Sequence, residues 1–215
     1  MSRIKLAYPK IDGSTNCPAK NCIAFEKYDG TNLHWVWEHE LGWYAFGTRR
    51  DRFDLDERGI ADFHAAHPGL EEADALFARH LATPLLDIFR QHDYYGSREI
   101  VVFTEFLGPH SFAGLHKKSD PKRLVLFDVQ TRDGMMGPDQ FVTDFGALDI
   151  ARVLYRGKLT GAFIHNVRSG KYGPIEGVVC KGGTGADLWR VKIKTDAYME
   201  KLKQAFASDW ERYWE

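Results

Sequence analysis

Residues 22–32 read Cys22-Ile23-Ala24-Phe25-Glu26-Lys27-Tyr28-Asp29-Gly30-Thr31-Asn32. The first half is an apolar strand that ends on a lysine, and the second half is a tight turn. Gly30 lets backbone approach a ligand closely, because it has no Cβ. Such a turn can hold an amine nucleophile against a phosphate, although lysine before Asp-Gly also occurs in ordinary hairpins. Immediately downstream, Leu33 to Glu38 alternates apolar and polar residues and returns through Leu41-Gly42 into Trp43 to Thr48. That pattern predicts an antiparallel hairpin with Lys27 near its entrance.

Working outward, Leu55 to His92 reads as helical, with Ala73, Leu76, Phe77, Leu85, Leu86 and Phe89 at helix spacing and a break near Thr83-Pro84. Strands are expected at Glu99 to Glu105 and at Arg123 to Gln130, then a helix around Asp139 to Leu148. Two further strands follow, Glu176 to Lys181 and Leu188 to Lys194. An amphipathic helix from Ala197 to Tyr213, carrying Tyr198, Leu202, Phe206 and Trp210 at helical spacing, closes the chain. The pattern is α+β, with largely antiparallel sheets flanked by helices. Residues 1–215 read as a single domain, with no room for a second one after Lys194.

Bulk properties narrow the function classes. The chain has 215 residues, 44% hydrophobic and 13% aromatic, enough for a substantial core. A formal charge of −1 excludes a uniformly basic coat, so a nucleic-acid partner would need a local cleft or stripe. Candidate stripes are Arg49-Arg50 with Arg52, Lys117-Lys118 with Lys122-Arg123, and Lys192 with Lys194, the second of these reading as an ordinary solvated cluster. The three cysteines, Cys17, Cys22 and Cys180, form no paired framework, which points to free or buried thiols in a reducing, cytoplasmic setting. His64 and His67 are an incomplete metal signature and read as part of a helical surface. No apolar run approaches a membrane span, so no membrane association is expected.

Four segments place isolated charged or aromatic residues in otherwise apolar strands. Glu105 lies in Val102 to Gly108 and needs a hydrogen-bond partner, since a buried unpaired carboxylate is costly. Phe127 lies in Leu124 to Val129, where it serves either as core or as a stacking platform for a base. Glu176 stands beside Gly177 at the mouth of Val178-Val179-Cys180-Lys181, as an oxygen ligand suited to a divalent cation. In Trp189 to Lys194, strict alternation puts Lys192 and Lys194 on one strand face, where the two ammonium groups repel unless an anion lies near.

Taken in order, Glu26-Lys27-Tyr28-Asp29-Gly30-Thr31-Asn32, Thr48-Arg49, Phe103-Thr104-Glu105, Phe127-Asp128, Glu176-Gly177-Val178-Val179-x-Lys181 and Lys192-x-Lys194 resemble the serial motifs of the covalent nucleotidyltransferases. That superfamily comprises ATP-dependent DNA and RNA ligases and mRNA capping enzymes. Thr31-Asn32 directly after the lysine motif resembles the RNA ligases, particularly the nick-sealing phage-type and editing groups. Asp29 departs from them, being the DNA-ligase and capping-enzyme choice at that position.

The resemblance implies a nucleotidyltransferase (adenylation) domain of the ATP-grasp-like ligase type, with ATP and Mg2+ as cofactors. It implies that Lys27 is the nucleophile that becomes adenylylated. Arg49, or its neighbour Arg50, would contact the nucleotide or a 5′-phosphate, Glu105 the ribose, and Phe127 the adenine. Glu176 would organise the metal, and Lys192 and Lys194 would hold the α-phosphate during catalysis. Glu26, Asp29, Gly30, Thr31 and Asn32 would complete the nucleotide pocket. The implied partner is RNA with 5′-phosphate and 3′-hydroxyl ends, nicked or duplex, in RNA repair. About twenty residues follow Lys194 where such ligases append an OB barrel or a helical module, so a partner protein supplying that module is a further expectation. The alternatives are a minimal DNA ligase or capping-type enzyme, and a non-catalytic nucleotide- or RNA-end-binding module. The chemistry adds one more expectation: cations near Lys27 should depress its pKa and favour the neutral amine.

Overall fold

A computed structural model describes residues 8–92, 99–108, 120–173 and 175–206. The first strands are β1 (Asp12–Gly13), β2 (Asn21–Lys27), β3 (Thr31–Glu38), β4 (Gly42–Thr48) and β5 (Arg52–Asp54). Helices α1 (Glu57–Ala66), α2 (Ala73–Phe77) and α3 (Thr83–Gln91) follow, then strands β6 (Ile100–Leu107), β7 (Arg123–Thr131) and β8 (Gly134–Met135). Helix α4 (Pro138–Phe145), strand β9 (Val153–Lys158) and helix α5 (Gly161–Arg168) lead to β10 (Gly177–Gly182), β11 (Trp189–Lys194) and helix α6 (Asp196–Phe206).

The strands form two sheets: a five-stranded one in the order β1-β11-β10-β2-β9 and a six-stranded one in the order β5-β4-β3-β6-β7-β8. All named pairings are antiparallel except β1 with β11. This is the α+β pattern with antiparallel sheets and flanking helices that the strand periodicity predicts. The expected β3–β4 hairpin is present, and Leu33 pairs with Thr48 at its open end. Lys27, however, ends a strand of the other sheet, so the turn from Tyr28 to Gly30 is where the chain crosses from one sheet to the next.

Period-2 alternation assigns each sheet two faces. In the six-stranded sheet, Leu33, Trp35 and Trp37 join Phe77 and Phe89 in the main core, with Trp35 stacked on Phe77 at 4.0 Å and 3°. On the opposite face Val36, Val101 and Phe103 pack with Tyr8. In the five-stranded sheet, Cys22, Ala24, Val178, Cys180, Val191 and Ile193 form a second core with Phe163 and Val167 of α5. That leaves the alternate residues of β2, β10 and β11 facing the six-stranded sheet. Cys22 and Cys180 are buried and all three cysteines are unbridged.

Several boundaries differ from expectation. The helical stretch breaks at residues 67–72, around Pro68 and a Gly69 with φ +99°, rather than near Thr83-Pro84. At Thr83 the chain stays helical because Ala78–Ala82 winds as a π turn, and Pro84 falls in the first turn of α3. Proline lacks an N–H and crowds the carbonyl four residues back, and the wider winding accommodates both. Helix α4 stops at Phe145, where Gly146 follows, short of the expected Leu148. The edge strand β9 and helix α5, within a stretch whose periodicity is mixed, are additional elements. Thr160 caps α5 by accepting from the Phe163 N–H at 3.2 Å. Helix α6 begins one residue earlier than expected, and Trp210 and Tyr213 lie outside the described residues, as do Lys117 and Lys118.

Candidate active site

Between the two sheets lies a cleft of about 1120 Å³. Its geometry follows from one ladder. Strand β10 is flanked by β2 and β11, and the registers align Lys27 with Gly177 and Gly177 with Lys194. The next rungs on the same face align Phe25, Val179 and Lys192, then Ile23, Lys181 and Arg190. Two lysines distant in sequence are thus held one strand apart on either side of a residue with no side chain. A Cβ on Gly177 would lie 2.0 Å from the Ile193 carbonyl oxygen, so glycine is what lets β11 close against β10 here.

The carboxylates converge on Lys27. Its Nζ donates to Glu176 Oε2 at 2.8 Å, while Glu176 Oε1 lies 3.9 Å from Lys194 Nζ. Glu176 is 4% exposed and sits behind the cleft wall. Glu105, on β6, accepts from the Gly30 N–H at 3.2 Å. A Cβ on Gly30 would meet the Phe106 carbonyl oxygen at 2.4 Å, so this glycine lines the cleft but serves the approach of the lysine turn to β6 rather than to a ligand. Asp29 is buried, with Oδ1 accepting from the Tyr198 hydroxyl at 3.1 Å and Oδ2 unpartnered.

The electrostatics reverse one expectation. Burial by itself would depress the Lys27 ammonium, but Glu176, Glu105 and Asp29 outweigh it, and the pKa lies above the ordinary lysine value. The carboxylates, rather than the cations expected to lower it, dominate the field at Lys27. The carboxylates are affected in turn. Burial, reinforced by Glu176, raises Asp29 to about 7. Burial also raises Glu105 to about 7 against the opposing pull of Lys27.

The other residues singled out from the sequence lie as follows. Thr31, Asn32, Arg49, Arg50 and Phe127 line the cleft, together with Lys192 and Lys194. Asn32 pairs in register with Glu105, and its Oδ1 is buried without a partner. Arg49 and Arg50 sit on the exposed turn after β4, and neither residue is distinguished from the other by its placement. Glu26 lies at the rim, bound to Arg152 at 2.9 Å. Arg52 separates from the stripe, with its guanidinium 5.3 Å from the Tyr44 ring centroid. Lys122 pairs with Glu72 at 2.6 Å and Arg123 with Asp149 at 2.6 Å, as solvated surface pairs.

Phe127 is half-buried and edge-on to Tyr8 at 5.0 Å and 79°. Beneath it lies a network that the reading of single strands missed. Lys181 Nζ donates to the Phe127 carbonyl at 2.6 Å and to Asp128 Oδ2 at 3.0 Å, and the Tyr8 hydroxyl donates to the same carboxylate oxygen at 2.8 Å. Burial holds the Lys181 pKa below its ordinary value even though Asp128 opposes it. The available signal was parity: Val179 and Lys181 share a face of β10. His67 was also missed as a cleft residue. It follows the last residue of α1 and lines the cleft.

The donor set bears on a divalent cation. Among the described residues no group of three or more His, Cys, Asp or Glu side chains is placed to hold a metal ion. Glu176, Glu105 and Asp29 nevertheless present carboxylate oxygens around one lysine, and Asp29 Oδ2 has no partner. These are hard oxygen donors, the chemical type that Mg2+ takes, although Glu176 is already paired with Lys27 and Lys194.

Solved structures of ATP-dependent RNA and DNA ligases share this fold. A Naegleria gruberi RNA ligase, solved as an arginine-to-alanine mutant with ATP and manganese, superposes with a TM-score of 0.61 at 17% identity over 93% of this chain and 59% of that one. An archaeal ATP-dependent RNA ligase gives 0.64 at 15% identity over 96% of this chain and 55% of that one. An Aquifex aeolicus protein assigned as an ATP-dependent DNA ligase gives 0.63 at 17% identity, covering 96% and 56%. The chain therefore spans somewhat over half the length of these structures. No protein-family model and no curated protein sequence matches it. Among the described residues no helix is long and apolar enough to cross a membrane.

Proposed function

We propose that this chain is the nucleotidyl-transfer unit of an ATP-dependent RNA ligase that works through a lysyl-AMP intermediate on Lys27. The observation that carries the reading is the Lys27–Gly177–Lys194 rung, bridged from behind by Glu176, with both lysines in a cleft that also holds Phe127 and Glu105. Lys27 Nζ attacks the α-phosphorus, the bond to the pyrophosphate oxygen breaks, and a phosphoramidate forms. The ammonium proton must leave first, and Glu176 Oε2, at 2.8 Å, is its nearest acceptor. Lys192 and Lys194 approach from β11 and stabilise charge on the phosphate oxygens. Phe127 offers its face to adenine, braced from below by Lys181 and Asp128, and Glu105 takes the ribose hydroxyls. Glu176 would be the residue to hold Mg2+, which when bound would supply further charge stabilisation. In the second step a 5′-phosphate oxygen takes AMP from Lys27. In the third a 3′-hydroxyl attacks that phosphate and AMP leaves, sealing the strand.

The preference for RNA rests on Thr31-Asn32 and suggests RNA repair, and the unpaired Cys17, Cys22 and Cys180 suggest a cytoplasmic setting. Asp29 favours a second reading, a minimal DNA ligase, which sealing of nicked RNA against nicked DNA separates. A partner or further segment supplying the rest of a substrate surface belongs to the same proposal. Incubation with α-labelled ATP and magnesium should label the protein, and Lys27→Ala should abolish the label. Equal labelling of that variant would overturn the assignment.

A further inference from the structure

We infer that His67 is a positioning residue: through Asp51 it holds the Arg49–Arg50 turn in the cleft as a clamp for phosphate groups. This rests on reading the cleft as a nucleotidyl-transfer site. The turn is tied by a relay of side chains. Thr48 Oγ1 accepts from the Arg50 N–H at 3.2 Å and donates to Asp51 Oδ1. The other oxygen, Asp51 Oδ2, bonds His67 Nε2 at 3.0 Å. Gly47 makes the tight return possible, since a Cβ there would lie 2.1 Å from the Asp51 carbonyl oxygen.

The far end of the relay is packed against the core. His67 caps the C-terminus of α1 with its N–H bonded to the Phe63 carbonyl at 2.9 Å. Its ring packs at 5.0 Å from Phe63 and edge-on to Phe53 at 5.9 Å. Helix α1 is fixed in turn by Asp56, which accepts from the Gly59 N–H at 2.7 Å. The relay thus connects a packed helix to an exposed two-arginine turn, and Thr48, Arg49, Arg50 and His67 all line the cleft. Asp51 accepts from both Thr48 and His67, and these bonds occupy the carboxylate that would otherwise pair with the adjacent guanidinium groups. Among the described residues neither arginine side chain has an ion-pair partner, which leaves both to an anion. Arg49 and Arg50 match phosphate geometry with planar, multidentate donors.

The phosphate can come from two sources, the ATP polyphosphate or the 5′-end of a strand, and two assays distinguish them. The first measures the apparent KM for ATP in covalent labelling of Lys27. The second measures the KM for a 5′-phosphorylated strand in transfer of AMP from labelled protein. His67→Ala should raise one of these about ten-fold while the saturated rate changes little, as loss of one charge-assisted bond implies. The arm that moves identifies the phosphate. His67→Gln, whose amide can still donate to Asp51, should recover most of the loss. Combining His67→Ala with Arg49→Ala and Arg50→Ala should be no worse than the arginine changes alone, because His67 acts through them. Thr48→Val cuts the relay at its other end and should reproduce the effect where His67→Ala does not fold. Unchanged KM in both arms, additive effects, or a Gln variant as weak as Ala would overturn the inference. Should the unmodified protein not label at all, the nucleotidyl-transfer reading fails by itself. Titration with inorganic tripolyphosphate then decides the relay, with ten-fold weaker binding by His67→Ala supporting it and unchanged binding refuting it.

Discussion

Gly177→Ala tests the geometry on which the site depends. The added Cβ would lie 2.0 Å from the Ile193 carbonyl oxygen and 2.8 Å from the Lys194 Cα, both backbone atoms that no rotamer change can move. Relieving that contact requires β11 to retreat from β10 by about 1 Å or more, since packed non-bonded atoms sit at roughly 3.5 Å or beyond. Overpacking of this kind costs about 1–3 kcal/mol of stability. The retreat carries Lys194 away from Lys27, and a misplacement of about 1 Å in a reacting geometry costs on the order of 10²-fold in rate. Denaturant unfolding and the rate of Lys27 labelling by α-labelled ATP measure the two effects. Gly161→Ala is the control: nothing lies within 4 Å of its Cβ, and it sits at the start of α5. It should leave labelling unchanged and keep or slightly raise stability. A Gly177→Ala protein with ordinary stability and full labelling would show that the close approach of β10 and β11 does not set the lysine pair.

Three further outcomes follow from the same cleft. Asp29 and Glu105 titrate near 7 in the folded chain, above their ordinary values, so the fold binds more protons than the unfolded chain between about pH 4 and 7. Stability should therefore fall as pH rises through that window, by up to about 1.4 kcal/mol per pH unit for each group, and Glu105→Gln should flatten the profile of denaturant midpoints. Tyr198→Phe removes the hydroxyl bonded to Asp29 at 3.1 Å and should cost about 1 kcal/mol in urea unfolding. Lys181→Met leaves the buried Asp128 without its closest cation, which stands at 3.0 Å, and should cost about 3 kcal/mol in the same measurement, with weaker adenine-nucleotide binding by calorimetry.

Much of the fold was legible because its signals are local. Alternation in Leu33 to Glu38 and in Trp189 to Lys194 marks strands whose faces the structure keeps, since parity is a property of extended backbone itself. The weak spots were equally local. Val153–Lys158 forms an edge strand that is only partly buried, so its alternation is faint, and Pro84 marks a change of winding rather than a break. The order of the lysine, carboxylate and aromatic motifs pointed to one site, and the residues named from that order either line a single cleft or, as with Glu176 and Asp29, lie just behind its wall.

By itself the sequence determined which residues end strands, which faces they share, and which residue types are available for phosphate and metal chemistry. Tertiary structure decided which of them meet. Lys27 and Glu176 are separated by 149 positions, and only the pairing of β2 with β10 brings them to 2.8 Å. That pairing also decides the sign of the Lys27 shift. Coulomb energy depends on distance, and in the folded cleft the carboxylates act on Lys27 more strongly than the cations that the motif order also brings there.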